Sequence, residues 1–353
     1  MADKLGEVYF LGEVELDSTM RTPFVKIGLV RSNAKNRTTE DRLTEHQTGN
    51  PRHIVELAVL ETPEADRVES LLHKVFASWR VSGEWFDLQN DRLDLVLAEG
   101  TRIVALVGVE SDLLAQAKAI EMVPSSGDKL PADSNSRDVA RRAIVARRGQ
   151  TFIDAIEGRV VAALLAASHA GRDVTRYLAV QINEKAATFD TTKFKKEHPD
   201  LYDAFSTPNT AWSKTFVPAK MKALGLDDSV LDADLLDLCA RIDVEAAAVE
   251  TGASLDSLHK LYLELLQFDA RYDLEFKAAE AQLKLLCGTA PGIEGLCTWN
   301  RHESHGMTFD KDAFKAQYPD VYAKYEKPAR TKESHVLAKD RGYRNEGFRG
   351  PCA

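Results

Sequence analysis

Near the start of the chain, apolar residues come in two short β-type runs. "EVYFLGEVEL" and "PFVKIGLV" are rich in β-branched and aromatic residues, and "DSTMRT" between them has turn chemistry, so two strands are predicted. "TTEDRLTEHQT" follows as a short helix, with Thr and Asp capping its start and "GNP" stopping it. "HIVELAVLE" reads as a third strand whose alternation slips by one residue at Leu57. In "TPEADRVESLLHKVFASW" the period changes to a helical one, with Val68, Leu71, Leu72, Val75 and Phe76 on one face behind a Thr-Pro start. "RVSGEWFDL" closes this unit, and "DRLDLVLAEGTRIVALV" predicts a further helix packed on it.

The pattern then breaks. "MVPSSGDKLPADSNSRD" has few apolar residues and reads as a linker, and beyond it helical spacing dominates with few β signals. The expected fold class is a small α/β domain, a mainly antiparallel sheet flanked by helices, followed by a mainly α-helical region. The expected divisions are residues 1–110 for the α/β domain, 111–137 for the linker, 138–345 for the helical region and 346–353 for a tail. Inside the helical region "TFDTTKFKKEHPDLYDAF" (188–205) recurs as "TFDKDAFKAQYPDVYAKY" (308–325). Phe189, Asp190, Phe194, Pro199 and Tyr202 find their counterparts in Phe309, Asp310, Phe314, Pro319 and Tyr322, which identifies a duplication. Each copy is expected to be a capped helical turn, a Pro-Asp break and a second short helix, its aromatics packed on the long neighbouring helices.

Composition narrows the class only a little. The chain has 353 residues, 44% of them hydrophobic, room for more than one domain. A formal charge of -9 argues against adhesion to nucleic acid or anionic lipid over the whole surface, while leaving room for a local basic site. No apolar run is long enough to span a bilayer, and the first residues have no secretory pattern, so no membrane partner is expected. Cys239, Cys287, Cys297 and Cys352 are scattered and form no Cys-x-x-Cys pair, which fits a reducing, cytoplasmic compartment.

The chemistry gathers in the first ninety residues. Hydrolysis of a phosphodiester needs a polarised phosphate, a base for water and cationic cover for developing charge. Tyr9 and Lys26 fall on the first two strands, while Arg42 and His46 lie four apart on one helix face, as do Glu69 and His73. Arg42 brings a planar fork suited to two phosphate oxygens, and a lone carboxylate suits Mg²⁺ or Mn²⁺. A nearby Lys26 would favour the phenolate of Tyr9. Arg31, Lys35 and Arg37 in "VRSNAKNR" are candidates for contacts to the DNA backbone. "RDVARRAIVARR" adds Arg141 and Arg148 as a stripe that could track DNA or simply face solvent. His73 reads equally as a core histidine, Trp85 as a core anchor, and His302 and His305 as polar loop residues.

In order, "EVYFLG", "VKIG", "RLTEH", "VESLLHKVF" and "GEWF" resemble the GIY-YIG nuclease superfamily, and within it the phage-type branch with a Lys-Ile-Gly second motif and a Glu-Trp-Phe end. The resemblance implies that Tyr9 stands beside the attacking water as general base, that Arg42 covers the scissile phosphate with His46 assisting, and that Glu69 holds a single divalent metal. Lys26 stands where the classical motif has tyrosine, and "GEWF" occupies the region of the family's late asparagine. From "AEAQLKLLCGTAPGIEGLCTWN" to "YPDVYAKY" the chain also resembles the tail of YqaJ-type viral recombinase nucleases, with no second catalytic set. The expectation is a metal-dependent DNA endonuclease of phage, prophage or defence type. The alternatives are a DNA-binding module on the same fold, and an interaction protein whose helical half recruits a protein partner. Oligomeric state is left open.

Overall fold

The computed structural model describes residues 5–16, 19–31 and 38–341. Lys35, Arg37, Cys352 and the 346–353 tail lie outside the described residues.

The N-terminal sheet comprises β1 (Gly6–Val14), β2 (Arg21–Val30), β3 (His53–Thr62), β4 (Arg80–Ser82) and β5 (Trp85–Asp87), in the order β3-β1-β2-β5-β4. Its pairings are antiparallel. Strand β1 is an inner strand paired on both sides, and Val8, Tyr9, Phe10 and Leu11 are all buried because helices cover both faces of the sheet. Helix α1 (Thr39–Gln47) lies on the face of Tyr9, Leu11, Val30 and Ile54. Helices α2 (Ala65–Val75) and α3 (Arg92–Glu121) cover the face of Val8, Phe10, Val25 and Ile27. The slip at Leu57 is a β-bulge, since Phe10 pairs with Ala58 and Leu11 with Glu56, leaving Leu57 as the extra residue. Phe86 rather than Trp85 anchors the end of the sheet. Phe86 is fully buried, and Trp85 points the other way, half-buried opposite Lys26.

The boundary expected at residue 110 falls inside α3, and the linker expected over 111–137 is partly helix. Helix α3 runs unbroken to Glu121, and α4 (Ser134–His169) begins at a capping box between Asp133 and Ser136. Continuous 3.6-residue spacing carries α3 from the sheet core, through Val96, Ile103 and Val107, into the helical half. There α4 packs along α8 (Leu255–Cys287), with α7 (Ala233–Ala248) beside them. At Gly149 of α4 the Tyr272 ring of α8 takes the space of a side chain, for a Cβ there would overlap it. The sheet domain is fastened to α8 by Lys74–Asp269 at 2.7 Å and by Arg67, which bridges Asp273 at 2.7 Å and Glu110 of α3 at 3.3 Å. Ala270 and Leu274 of α8 complete the sheet core. Among the described residues no helix is long and apolar enough to cross a membrane.

The helical region also contains long strands that hydrophobic spacing did not mark. β6 (Leu178–Lys185) and β7 (Thr188–Phe189) lead into α5 (Thr191–Glu197) and α6 (Pro199–Ala204), and β8 (Ser206–Pro218) leads back. After α8, β9 (Gly292–Ile293) precedes β10 (Cys297–Phe309), which leads into α9 (Lys311–Gln317) and α10 (Pro319–Tyr325). β11 (Glu326–Lys327) and β12 (Arg330–Leu337) lead back again. β8 pairs with β10 over thirteen residues, with the short β9 joining β10 at its start, and β6 pairs with β12 over eight, giving two separate ribbons. Both faces of most of their length are in water, so neither ribbon has the in-out hydrophobic alternation of a half-buried strand.

The ribbons leave opposite ends of the α4–α8 pair. At one end Trp299 and Phe216 pack with Val139, Leu283 and Cys287; at the other Leu178 and Leu337 pack with Leu258, Tyr262 and Leu164. Arg301 secures the first root. It is buried, lies over the Trp299 ring at 3.9 Å, and donates to the carbonyls of Ile120 at 3.0 Å and Gly288 at 2.9 Å, capping the ends of α3 and α8. Cys287 and Cys297, distant in pattern, bring their sulfurs to 3.6 Å there. His302 and His305 lie on strand β10, not in a loop.

The two copies of the duplicated segment meet where the ribbons converge. Their aromatics pack on each other rather than on the long helices. The equivalent rings Phe194 and Phe314 stand 4.7 Å apart, Phe189 and Phe309 5.6 Å. Tyr202 stacks on Phe309 and Tyr322 on Phe189, a relation that reads the same from either copy. The backbone repeats it, Asp190 N–H donating to Tyr325 O and Asp310 N–H to Phe205 O. Three buried aromatic rings in each copy cannot close a core alone; two copies about a pseudo-dyad do.

Candidate active site

Strands β1 and β2 fix the first two side chains. Tyr9 pairs with Gly28 and Leu11 with Lys26, so Tyr9 and Lys26 point to the face that α1 covers. Gly28 lies within β2. Its lack of a side chain is what admits the Tyr9 ring, whose Cζ would stand 2.6 Å from a Cβ at that position. Helix α1 is held over this face from its first turn, where Glu7 of β1 accepts from Thr39 N–H at 2.9 Å and from its hydroxyl at 2.7 Å. A capping box between Thr38 and Asp41 starts the helix.

That placement brings His46 to Tyr9. The Tyr9 hydroxyl and His46 Nε2 stand 3.4 Å apart, within hydrogen-bond reach. Burial, with Lys26 and Arg42 nearby, lowers the His46 pKa and keeps the ring neutral and able to accept. Burial pushes Tyr9 up to about 12; Arg42 draws it down, and Glu84, Glu69 and Glu45 raise it further. Arg42 is half-buried and pairs with Glu45 at 3.0 Å. Its buried Nε has no hydrogen-bond partner among the described residues.

The lysine does not serve the phenol as the sequence suggested. Lys26 is buried and bonds Glu84 Oε2, so its charge is matched by a carboxylate and is not directed at Tyr9. Glu84 was legible only as part of "GEWF", yet it lies among all the other groups. Burial pushes its pKa up, but the Lys26 hydrogen bond and charge, together with His73 and His46, outweigh this and hold it below the usual carboxylate range. Backbone pairing sets its position, Ile27 N–H donating to Glu84 O at 2.9 Å.

Glu69 comes from α2 on the other side of the cluster. Burial first, then Glu84 and Asp66, push its carboxyl up to about 7, with Arg80 and Arg31 opposing. His73, one turn on, donates from Nε2 to Ile27 O at 3.0 Å, lies tilted against the Phe86 ring and stands 3.5 Å from Glu69. Burial, with Arg80 adding, lowers it to about 4, so it is a neutral core histidine that also touches the site. Arg80 is a residue the sequence pattern did not single out. It is close enough to influence Glu69, and it bonds Gly83 O in the turn before Glu84.

A cation fits Glu69. The carboxyl is half-buried beside a second carboxylate and is strained in its charged form, the condition a bound ion relieves. His73 commits its Nε2–H to the backbone, and the Glu69 carboxylate offers oxygen ligands, the kind a hard ion such as Mg²⁺ or Mn²⁺ takes. Among the described residues no group of three or more His, Cys, Asp or Glu gathers as a protein cage, so such an ion would keep most of its waters.

The outer cations are dispersed. Arg31 is exposed and bidentate to Asp66 at 2.7–2.8 Å, beside Glu69's helix. Arg148 is tied to Asp228 at 2.6 Å on the far helical part, and Arg142 to Glu275 at 3.0 Å, so two of the five arginines in the basic run on α4 are matched by carboxylates. Arg141 is exposed on that helix.

Residues 6–99 match the family model described as the T5orf172 domain. The matched span takes in the sheet, α1, α2 and every group of the cluster, and it gives this part as a nuclease-like domain of phage type. No curated protein and no solved structure matches the chain.

Proposed function

We propose that the N-terminal domain is a metal-dependent DNA endonuclease of the GIY-YIG type, with Tyr9, His46, Arg42 and Glu69 as its working groups. The observation that supports this best is the Tyr9–His46 contact, set between an arginine with an uncommitted buried nitrogen and a carboxyl raised to about 7. Strained, complementary acid and base groups in one cluster are what hydrolysis requires and what packing alone does not.

A phosphodiester laid against Arg42 receives the guanidinium on its non-bridging oxygens, where negative charge grows as water attacks. Tyr9 alone is no base near neutral pH, because a phenol raised to about 12 keeps its proton. With His46 neutral behind it, the phenol oxygen accepts the proton of the attacking water as its own proton passes to His46 Nε2. Glu69 would hold Mg²⁺ or Mn²⁺, which when bound polarises the phosphate and stabilises the leaving oxygen. Lys26, itself buried, bonds the partly exposed Glu84 and orients its carboxylate among these groups.

A second reading keeps the DNA contact and drops the chemistry. The observation in its favour is that Lys26 is occupied by Glu84 and Tyr9 is raised rather than lowered. Labelled duplex DNA incubated with the wild type and with Arg42→Ala, in Mg²⁺ or Mn²⁺, separates the two. Hydrolysis predicts strand cleavage, slowed about a hundredfold or more in the variant, with an acid limb in the pH profile below the ordinary imidazole range. DNA binding without cleavage favours the second reading.

A further inference from the structure

The ribbon of β6 and β12 sorts its side chains by charge. Lys185 pairs with Arg330, Asn183 with Lys332 and Gln181 with Ser334, and residues directly opposite in an antiparallel pair share a face. These six form one face with three cations, two amides, a hydroxyl and no carboxylate. Both acids of the ribbon, Glu184 and Glu333, lie on the opposite face with Val180 and Ile182. Every one of the six but Ser334, which is half-buried, is exposed, and among the described residues none of the three cations is ion-paired.

The duplication supplies an internal comparison. In the β8–β10 ribbon the equivalents of Lys185, Arg330 and Lys332 are His305, Thr210 and Trp212. That face is used internally, for Trp212 Nε1 donates to Glu121 O at 2.7 Å and Lys214 pairs with the Glu121 carboxylate at 2.6 Å. The repeat therefore does not need three cations for its own folding. They occur on the ribbon whose root is pinned to the candidate site. Asp340, three residues past β12, accepts from Gly83 N–H at 3.3 Å, and Arg341 donates from its N–H to Arg80 O at 2.9 Å and from Nε to Ser78 O at 2.6 Å. The ribbon thus rises from the turn that carries Glu84.

We infer that this basic face of β6–β12 docks a DNA duplex and leads it to the nuclease site, an inference that rests on the function proposed above. A two-stranded ribbon fits the major groove, and amides with lysine and arginine are the side chains that bond base edges and phosphates there. The face has no aromatic ring on which bases could stack, which favours duplex over single strand. Eight residues span about 26 Å, less than one turn of B-DNA at about 34 Å, so one duplex segment reaches from the ribbon to its root.

The test is full-length protein with Lys185→Ala, Arg330→Ala and Lys332→Ala together, in a Glu69→Gln background that leaves the probe uncut. Fluorescence polarisation would follow a duplex of about 30 base pairs, and a single strand of the same length, across a salt series. Duplex affinity is expected to fall, and the slope of log K against log salt to drop by about 2 to 3 for three lost phosphate contacts. The single strand is expected to change much less, and Glu184→Gln with Glu333→Gln to leave duplex binding unweakened. Unchanged duplex affinity and slope in the triple variant, equal loss for both probes, or no duplex binding by the parent protein each overturns the inference. Binding is read without cleavage, so a wild type that binds through the ribbon and cuts nothing refutes the nuclease and leaves the ribbon standing.

Discussion

The Tyr9 ring occupies the space that a side chain at Gly28 would fill, across the central strand pair of the sheet. The glycine of "VKIG" is thus the condition for the tyrosine of "EVYFLG" to reach His46. Gly28→Ala is predicted to cost about 1–3 kcal/mol through overpacking and to shift the phenol from the imidazole. A lower melting temperature together with slowed DNA cleavage is expected. Unchanged cleavage would separate the Tyr9–His46 contact from the chemistry.

Glu69 makes a prediction of opposite sign for stability. Its folded-state pKa is raised from 4.5 to about 7, so the folded protein holds the proton more tightly than the unfolded chain does. Stability tied to this group is therefore greatest below 4.5, falls as pH rises toward 7, and its deficit is complete above that, at about 3 kcal/mol as an upper figure. Glu69→Gln should raise the melting temperature of metal-free protein at pH 8 and change it little near pH 4.5. Mg²⁺ should raise that of the wild type and leave the variant unmoved. A variant that melts lower at pH 8 without metal would show that the carboxylate is a structural partner.

How much of this was readable varies with the kind of signal. The strand and helix succession of the first ninety residues follows from periodicity, even to the slip at Leu57, because this sheet buries its apolar residues against covering helices. The ribbons were not readable, since strands wet on both faces have polar sequences with no inside to mark. Among the site groups, Tyr9, Arg42, His46 and Glu69 come together, whereas the partnership of Lys26 with Glu84 depends on register between β2 and β5, which lies 58 residues downstream. The linker expected over 111–137 failed because α3 continues on helical spacing past the end of the sheet core. Tertiary pairings such as Arg148 with Asp228 likewise leave no local trace.

At the paired tip, Phe194 and Phe314 are equivalent by the pseudo-dyad and fully buried against each other. Either Phe→Ala change is predicted to destabilise the tip by about 3–5 kcal/mol, and to loosen both copies alike because they share one core. Hydrogen exchange should show faster exchange over 188–205 and 308–325 in either variant, with α4 and α8 unaffected. Loosening confined to the mutated copy would contradict the shared core.

The central claim is hydrolysis of DNA by a metal ion held at Glu69. Its most direct measurement is nicking of supercoiled plasmid by wild-type and Glu69→Gln protein in Mg²⁺, in Mn²⁺ and in EDTA. The account predicts nicking by the wild type with either ion, none in EDTA, and none by the variant even though it still binds the plasmid. Nicking that persists in the variant, or that ignores EDTA, would contradict it.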